Sequence, residues 1–327
     1  MTLSTEVSWQ LDGITMYGTV THPDGEGPFP GVVLVAGSGP TDRDWNSPLM
    51  PGTNGSGRLL AEALADAGYA SIRYDKRASG PHVMQNLPAL AGHISMQAHL
   101  DELTAAVERF AAQPSVDASR LAGFGNSEGC LHLLHYASPV HEDPGRQHPL
   151  SALVLTGAPG RSVGEVFVSQ LTQQLAGAPD LLPLVAEAAA RYSAGEPADP
   201  DERLPEPVRQ AFQSFETPMN LPFARELWNE DAADSLALVT IPTLVVIGGK
   251  DVQIDVRADG DPLQAAAQGR AGVSFVFPAD ADHVLKHEPR SREEVLASGV
   301  SSYNADDARL DAEAMHVILD WLRTELD

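Results

Sequence analysis

Hydrophobic and polar positions alternate at the start of the chain and then change their pattern. Over residues 4–10 and again over 14–21 the period is two, with Leu11-Asp12-Gly13 between the runs, which predicts a β-hairpin. A Pro/Gly loop (PDGEGPFPG) ends it. Then Gly31-Val32-Val33-Leu34-Val35-Ala36 is continuously apolar and stops at Gly37-Ser38-Gly39-Pro40. Such a run, bounded by turn residues, predicts a strand covered on both faces. Similar runs lie at 70–74, 121–124, 152–156, 243–247 and 273–277. Between them, residues 57–67 and 96–112 place apolar side chains at three- and four-residue spacing, the pattern of amphipathic helices. The segment 307–324 does the same, with Leu310, Ala314, Val317, Ile318 and Trp321 on one stripe, and predicts a terminal helix docked on the sheet. Strands alternating with helices imply right-handed crossovers and a mainly parallel sheet, an α/β architecture.

The alternation fails once. Residues 157–242 separate two of the strand runs, far more chain than one crossover needs. Their helical stretches, one with Val163, Phe167, Leu171 and Leu175 at strict four-residue spacing, predict a helical insertion over 160–237. The acidic, proline-rich run SAGEPADPDERLPEP inside it reads as hinge-like. The expected division is a core domain of residues 1–159 and 238–327 carrying that insertion.

Composition fits a globular protein with ample core: of 327 residues, 43% are hydrophobic and 20% charged. Acidic residues outnumber basic ones by 45 to 21, a net charge of -24 that repels polyanions. Nucleic acid and anionic membrane surfaces are therefore not expected as partners, a small molecule is, and a homodimer stays open. The single cysteine, Cys130, excludes an intramolecular disulfide and a cysteine-built zinc site. Neither a basic, apolar leader nor a run of about 18 apolar residues occurs, so the expected location is cytoplasmic. The only lysines, Lys76, Lys250 and Lys286, all flank loops that carry candidate chemistry, which leaves room for an anionic group on a substrate.

That chemistry starts where the strand 121–124 runs into Gly125-Asn126-Ser127-Glu128-Gly129 and then into an apolar helical stretch. G-x-S-x-G in a strand-turn-helix context places a serine on a strained turn, with glycines two residues either side to make room. Ser127 is the candidate nucleophile. Counted from Gly123 the stretch is G-x-G-x-x-x-G, one residue off the dinucleotide fingerprint, and a nucleotide-binding oxidoreductase is the weaker reading.

A serine nucleophile needs a base, and the base an orienting acid, both later in the chain. His283 follows the run 273–277 across a short loop and is preferred to His287, while His316 falls on the terminal helix. His283 and His287 have the spacing of a metal pair, with no third ligand in view. Asp251, after the run 243–247 and a glycine pair, is the candidate acid, with Asp255 in reserve. The second backbone donor for an oxyanion belongs on the loop after the first internal strand, so Ser38 is expected to donate beside Glu128. His132 and His135, on the helix after Ser127, read as packed residues.

The segments Gly37-Ser-Gly-Pro-Thr-Asp-Arg-Asp44, Arg73-Tyr-Asp-Lys-Arg77, Gly125-Asn-Ser-Glu-Gly129, Gly249-Lys-Asp251 and Asp282-His-Val-Leu-Lys286 together resemble the α/β-hydrolase fold. Within it the chain is similar to bacterial carboxylesterases with an A-G-S-G-P-T-D-R-D loop, over nearly its whole length outside the insertion. The resemblance implies a triad of Ser127, Asp251 and His283, an oxyanion hole of the Ser38 and Glu128 N-H groups, and a cap formed by residues 160–237. Two positions depart from it: Trp45 stands where a glycine is common, and Ala78-Ser79-Gly80 follows Arg77 where glycine usually comes directly. Asp42, Arg43 and Asp44 are expected to lock the oxyanion loop by ion pairing, and Asp75 with Arg77 to form a structural pair. Of the insertion aromatics Phe167, Phe212, Phe215, Phe223 and Trp228, one or two are expected to line an acyl pocket. The expected function is a cofactor-free, metal-free serine carboxylesterase acting on small to medium esters. Amidase, peptidase, thioesterase, lactonase or acyltransferase chemistry with the same residues is the alternative, followed by a non-catalytic binding module.

Overall fold

The computed structural model describes residues 2–139, 149–298, 303–305 and 307–327. Asp12 and Gly13 both take positive φ, 50° and 80°, the tight turn whose twist suits a hairpin. They join β1 (Thr2–Leu11) to β2 (Ile14–Pro23), with Leu11 opposite Ile14. β2 then pairs antiparallel with β4 (Ala70–Tyr74). From there the sheet is parallel through β3 (Phe29–Val35), β5 (Val116–Asn126), β6 (Leu150–Thr156), β7 (Thr243–Val246) and β8 (Val273–Val276). The spatial order is β1-β2-β4-β3-β5-β6-β7-β8.

The continuous apolar runs follow from two covers. Alternate side chains Val33, Val35, Leu153, Leu155, Val245 and Ile247 enter one core, with residues of α2 (Val83–Leu90), α3 (Met96–Ala111) and α4 (Glu128–Ala137). Their neighbours Val32, Leu34, Phe124, Val154, Leu244 and Val246 enter the other, with α1 (Ser56–Asp66) and the terminal helix Ala312–Leu326. With a strand period of two, a sheet covered on both sides leaves no polar register.

Three expectations need correction. β8 is half-exposed along its length because it is the edge strand, so its apolar run does not mark burial on both faces. The terminal helix begins at Ala312, capped by Asp311 Oδ1 accepting from the Ala314 N-H at 2.9 Å, and Leu310 precedes it. Its buried stripe is Ala314, Met315, Ile318, Leu322 and Leu326, with Val317 and Trp321 at the margin, since the helical period carries the contact line past the residues that look most apolar.

Within 160–237 the chain forms α5 (Val163–Gln174), α6 (Leu182–Ser193), α7 (Glu206–Ser214), α8 (Phe223–Trp228) and most of α9 (Ala232–Leu238). The first four share a cluster of their own around Leu171, Val185, Tyr192, Phe212 and Trp228, whereas Ala232 and Leu236 of α9 are buried in the main core. The acidic run is not a free hinge, since Ala198 and Leu204 within it are buried in the helical cluster. No helix among the described residues is long and apolar enough to cross a membrane.

Candidate active site

The chain reaches β3, goes outward to β4, and returns to place β5 on the other side of β3. At such a reversal the loops leaving two neighbouring strands diverge and open a crevice at their carboxyl ends. Those two loops carry Ser38 and Ser127. Ser127 sits between β5 and α4 at φ 54°, ψ -122°, a conformation that costs an L-residue of order 1–3 kcal/mol. It is held there by its own N-H, which donates to the Thr156 carbonyl on β6 at 2.9 Å. The flanking glycines are steric necessities: a Cβ on Gly129 would lie 2.4 Å from the Val35 carbonyl oxygen, and one on Gly125 2.7 Å from the Gly129 backbone.

Asp251 leaves β7 through Gly248-Gly249-Lys250 and is buried. Its Oδ1 accepts from the N-H groups of Gln253 at 2.8 Å and Ile254 at 2.9 Å. That leaves Oδ2 for the ring of His283, whose Nδ1 lies 2.8 Å away. Burial of the ring disfavours the imidazolium, but the Asp251 carboxylate, by charge and hydrogen bond, and the Asp282 charge outweigh it and hold the His283 pKa above the ordinary histidine value. Nε2 of His283 is left to serve a hydroxyl. Ser127 and His283 line one cavity without a direct Oγ to Nε2 hydrogen bond, a contact that commonly tightens only when substrate binds.

Around Ser127 the walls differ in chemistry. On one side a cavity of about 390 Å³ is bounded mainly by Leu131, Val166, Phe167, Phe215, Phe223 and Leu227. On the other, about 150 Å³ is bounded by His283, Asn126, Thr41, Trp45, Tyr303 and Asn304. Ser38, Ser127 and Gln253 border both. Three of the five insertion aromatics thus line the larger cavity, while Phe212 and Trp228 are buried in the helical cluster.

Behind the loops lies a buried charge network. Lys76 Nζ donates to the Gly37 carbonyl at 2.7 Å and to Glu128 Oε1 at 2.9 Å. Burial alone would raise the Glu128 carboxyl; the Lys76 charge and a hydrogen bond from His132 hold it well below the usual carboxylate range. His132 is itself pushed down to about 4, chiefly by burial, so its 3.2 Å contact with Glu128 Oε1 is a neutral ring donating Nε2-H. Farther along, Glu102 takes His99 Nδ1 at 3.0 Å and the Arg77 guanidinium, and is lowered to about 2 against its burial.

Several expectations shift. Arg43 pairs with Asp75 at 2.7 Å and Asp44 with Arg73 at 2.6 Å, but Asp42 instead accepts from the Asp44 and Asn46 backbone N-H groups. Asp75 and Arg77 are not partners of each other; Arg77 pairs with Glu102. Asp255 pairs with Arg292 at 2.9 Å, away from His283. The helical spacing of His283 and His287 is not realised, since a turn separates them and His287 faces Asp311 at 3.3 Å. His316 is exposed. None of the three lysines lines either cavity, because Lys76 and Lys286 are buried on backbone carbonyls and Lys250 faces Asp280 at 3.6 Å. Trp45 sits at φ 68°, which explains a glycine preference there, and packs 6.3 Å from Phe124.

Sequence reasoning missed two residues. Asn126 Nδ2 donates to the His283 carbonyl at 2.8 Å and to Thr156 Oγ1 at 3.2 Å, tying the serine turn to the histidine loop, yet it occupies a variable position of its pattern. Asp282, next to His283, has its pKa raised to about 7, mainly by burial; its Oδ1 accepts from two backbone N-H groups while its buried Oδ2 has no hydrogen-bond partner.

No protein-family model matches the sequence. Esterase EstD of Thermotoga maritima is 26% identical over 273 residues, which is 82% of this chain and 57% of that protein, so the chain spans little more than half the length of this relative. Among solved structures, an esterase of Pyrococcus furiosus aligns with a TM-score of 0.57 at 16% identity, over 100% of this chain and 91% of that one. A dienelactone hydrolase from Anabaena variabilis aligns with a TM-score of 0.53 at 16% identity, over 100% and 99%. A 2,6-dihydroxy-pseudo-oxynicotine hydrolase aligns at 0.57 and 15%, over 99% of this chain and 68% of that one.

Proposed function

We propose that this chain, whose α/β-hydrolase fold these likenesses show, is a serine esterase. Ser127 Oγ attacks the ester carbonyl while His283 Nε2 takes its proton. Asp251 holds the ring and stabilises the imidazolium, and the N-H groups of Ser38 and Glu128 receive the oxyanion. Collapse of the tetrahedral intermediate breaks the ester C-O bond, and His283 returns its proton to the departing alkoxide. Water, deprotonated by His283 in turn, hydrolyses the acyl-enzyme. The observation that carries the reading is the strained Ser127 turn opening onto a cavity that also holds a histidine backed by a buried carboxylate. The esterase named among the relatives supports the same chemistry.

Because His283 borders only the smaller and more polar of the two cavities, the alcohol leaves on that side and the acyl chain lies in the larger, mainly apolar one. Residues 160–237 act as a cap, contributing Phe167, Phe215, Phe223 and Leu227 to the acyl wall. Burying one methylene is worth about 0.8 kcal/mol, so kcat/KM should rise by up to about fourfold per carbon until the cavity is full. The test is a p-nitrophenyl ester series, with amides and lactones beside it, assayed on the wild type and Ser127→Ala. Loss of several powers of ten in the variant, together with fluorophosphonate labelling of the wild type alone, is expected. Near-native ester cleavage by Ser127→Ala would refute the assignment.

A further inference from the structure

We infer that Lys76 is the positioning residue of the oxyanion hole, setting both of its backbone donors through one buried cation. The inference rests on the reading of Ser127 as nucleophile. The peptide joining Gly37 to Ser38 is not among the cis bonds, so its carbonyl and its N-H point in opposite directions. Lys76 Nζ holds the carbonyl end at 2.7 Å. The Ser38 N-H is thereby turned away from Lys76, which lines neither cavity, and toward the side where Ser38 borders both. The second donor, the Glu128 N-H, is the first of α4 and has no partner within its helix. Its residue is anchored by the same ammonium, 2.9 Å from Glu128 Oε1.

One cation therefore fixes the first donor through the carbonyl of its own peptide and the second through the side chain of its own residue. Lys76 and Glu128 are both almost fully buried, so these contacts act where charge is little screened. A cation on a peptide carbonyl also polarises the amide and strengthens its N-H as a donor. Neutralising Glu128 would not by itself require the bond to Gly37, and that bond sets the proposal apart from an ordinary buried ion pair. Its effect belongs to the tetrahedral intermediate and the transition states on either side of it, because the oxygen gains its negative charge only there.

Two variants test it alongside Ser127→Ala: Lys76→Met, which keeps the length and removes the ammonium, and Lys76→Met with Glu128→Gln, which also removes the carboxylate left behind. Melting temperature, kcat and KM for a p-nitrophenyl ester, and Ki for a trifluoromethyl ketone, whose hemiketal oxyanion would occupy the hole, are measured for each. Deleting one oxyanion donor typically costs about 10²–10³ in kcat. Misaiming and depolarising donors that remain should cost less, at least about tenfold, with KM within about threefold and the ketone Ki weakened in parallel. A double variant that melts like the wild type and keeps kcat within about twofold would overturn the inference, leaving Lys76 as a neutralising partner only. If the double variant does not fold, the ketone Ki of Lys76→Met decides, and an unchanged value overturns it. Activity surviving in Ser127→Ala would instead sink the serine reading, independently of the lysine variants.

Discussion

The clearest single perturbation is Asp251→Asn, because the structure dictates which way the new amide must face. Oδ1 of Asp251 accepts two backbone N-H groups, from Gln253 and Ile254. An amide nitrogen cannot accept, so the carbonyl oxygen of an asparagine must stay at that position and its NH₂ must occupy the place of Oδ2, facing His283 Nδ1. Donor would then meet donor unless the ring changes tautomer, placing its proton on Nε2 and its lone pair on Nδ1. That ring has nothing with which to accept a proton from Ser127. Restoring the useful tautomer forfeits a hydrogen bond to a charged group, about 1.5–3 kcal/mol, and leaves buried donors unpaired, about 1–3 kcal/mol. At 1.36 kcal/mol per decade, the sum corresponds to a loss of roughly 10²–10⁴ in kcat. The assay is steady-state hydrolysis of a p-nitrophenyl ester by purified protein, with a thermal melt to show that the variant is folded. Asp255→Asn serves as the control and should keep its activity, since that carboxylate pairs with Arg292. A folded Asp251→Asn retaining kcat within about fivefold would refute the argument, because an orienting acid at this position would then not be needed.

Two further outcomes follow from the titration of His283 and its neighbour Asp282. In the proposed mechanism His283 must be neutral to accept a proton, and its pKa is raised, so activity should fall on acidification with a midpoint in kcat/KM above the reference value of about 6.5; a midpoint below about 6 would contradict the Asp251 pairing. Asp282 titrates near 7 when folded and near 3.8 in its unperturbed state, so the folded chain holds the extra proton between those values and this group removes stability as pH rises through that window. Asp282→Asn, which cannot ionise, should therefore gain melting temperature relative to the wild type between pH 5 and pH 8, and a constant difference across that range would show that Asp282 is ionised throughout.

Much of this arrangement was readable in the sequence for identifiable reasons. A strand buried on both sides has no polar register, so the runs at Val32–Val35 and Leu244–Ile247 declared themselves, as did the loops at their carboxyl ends. Asp251 and His283 could be singled out as a candidate pair because the chemistry restricts where in the chain they can stand, and the structure brings them to 2.8 Å. β8 misled because an apolar run does not say how many neighbours a strand has. The partners of Asp75 and Arg77 were unreadable because each reaches across to another element, Arg43 in one case and Glu102 in the other. In the sequence Lys76 is one of three lysines flanking candidate loops, and only the packing shows its ammonium enclosed against the Gly37 carbonyl. The boundary of the helical insertion was blurred for a related reason: α9 is amphipathic like its neighbours but spends its apolar face on the main core.

The unequal cavities on either side of Ser127 impose an order of events on the proposed reaction. Once the acyl chain fills the apolar side, the smaller chamber beside His283 is the only one of the two left for traffic. The alcohol must vacate it before water can enter to be activated by the same nitrogen. Release of the first product and arrival of the second reactant then share one doorway and cannot overlap, so small alcohols in solution compete with water for that place, and turnover is tied to how quickly a chamber of about 150 Å³ exchanges its contents.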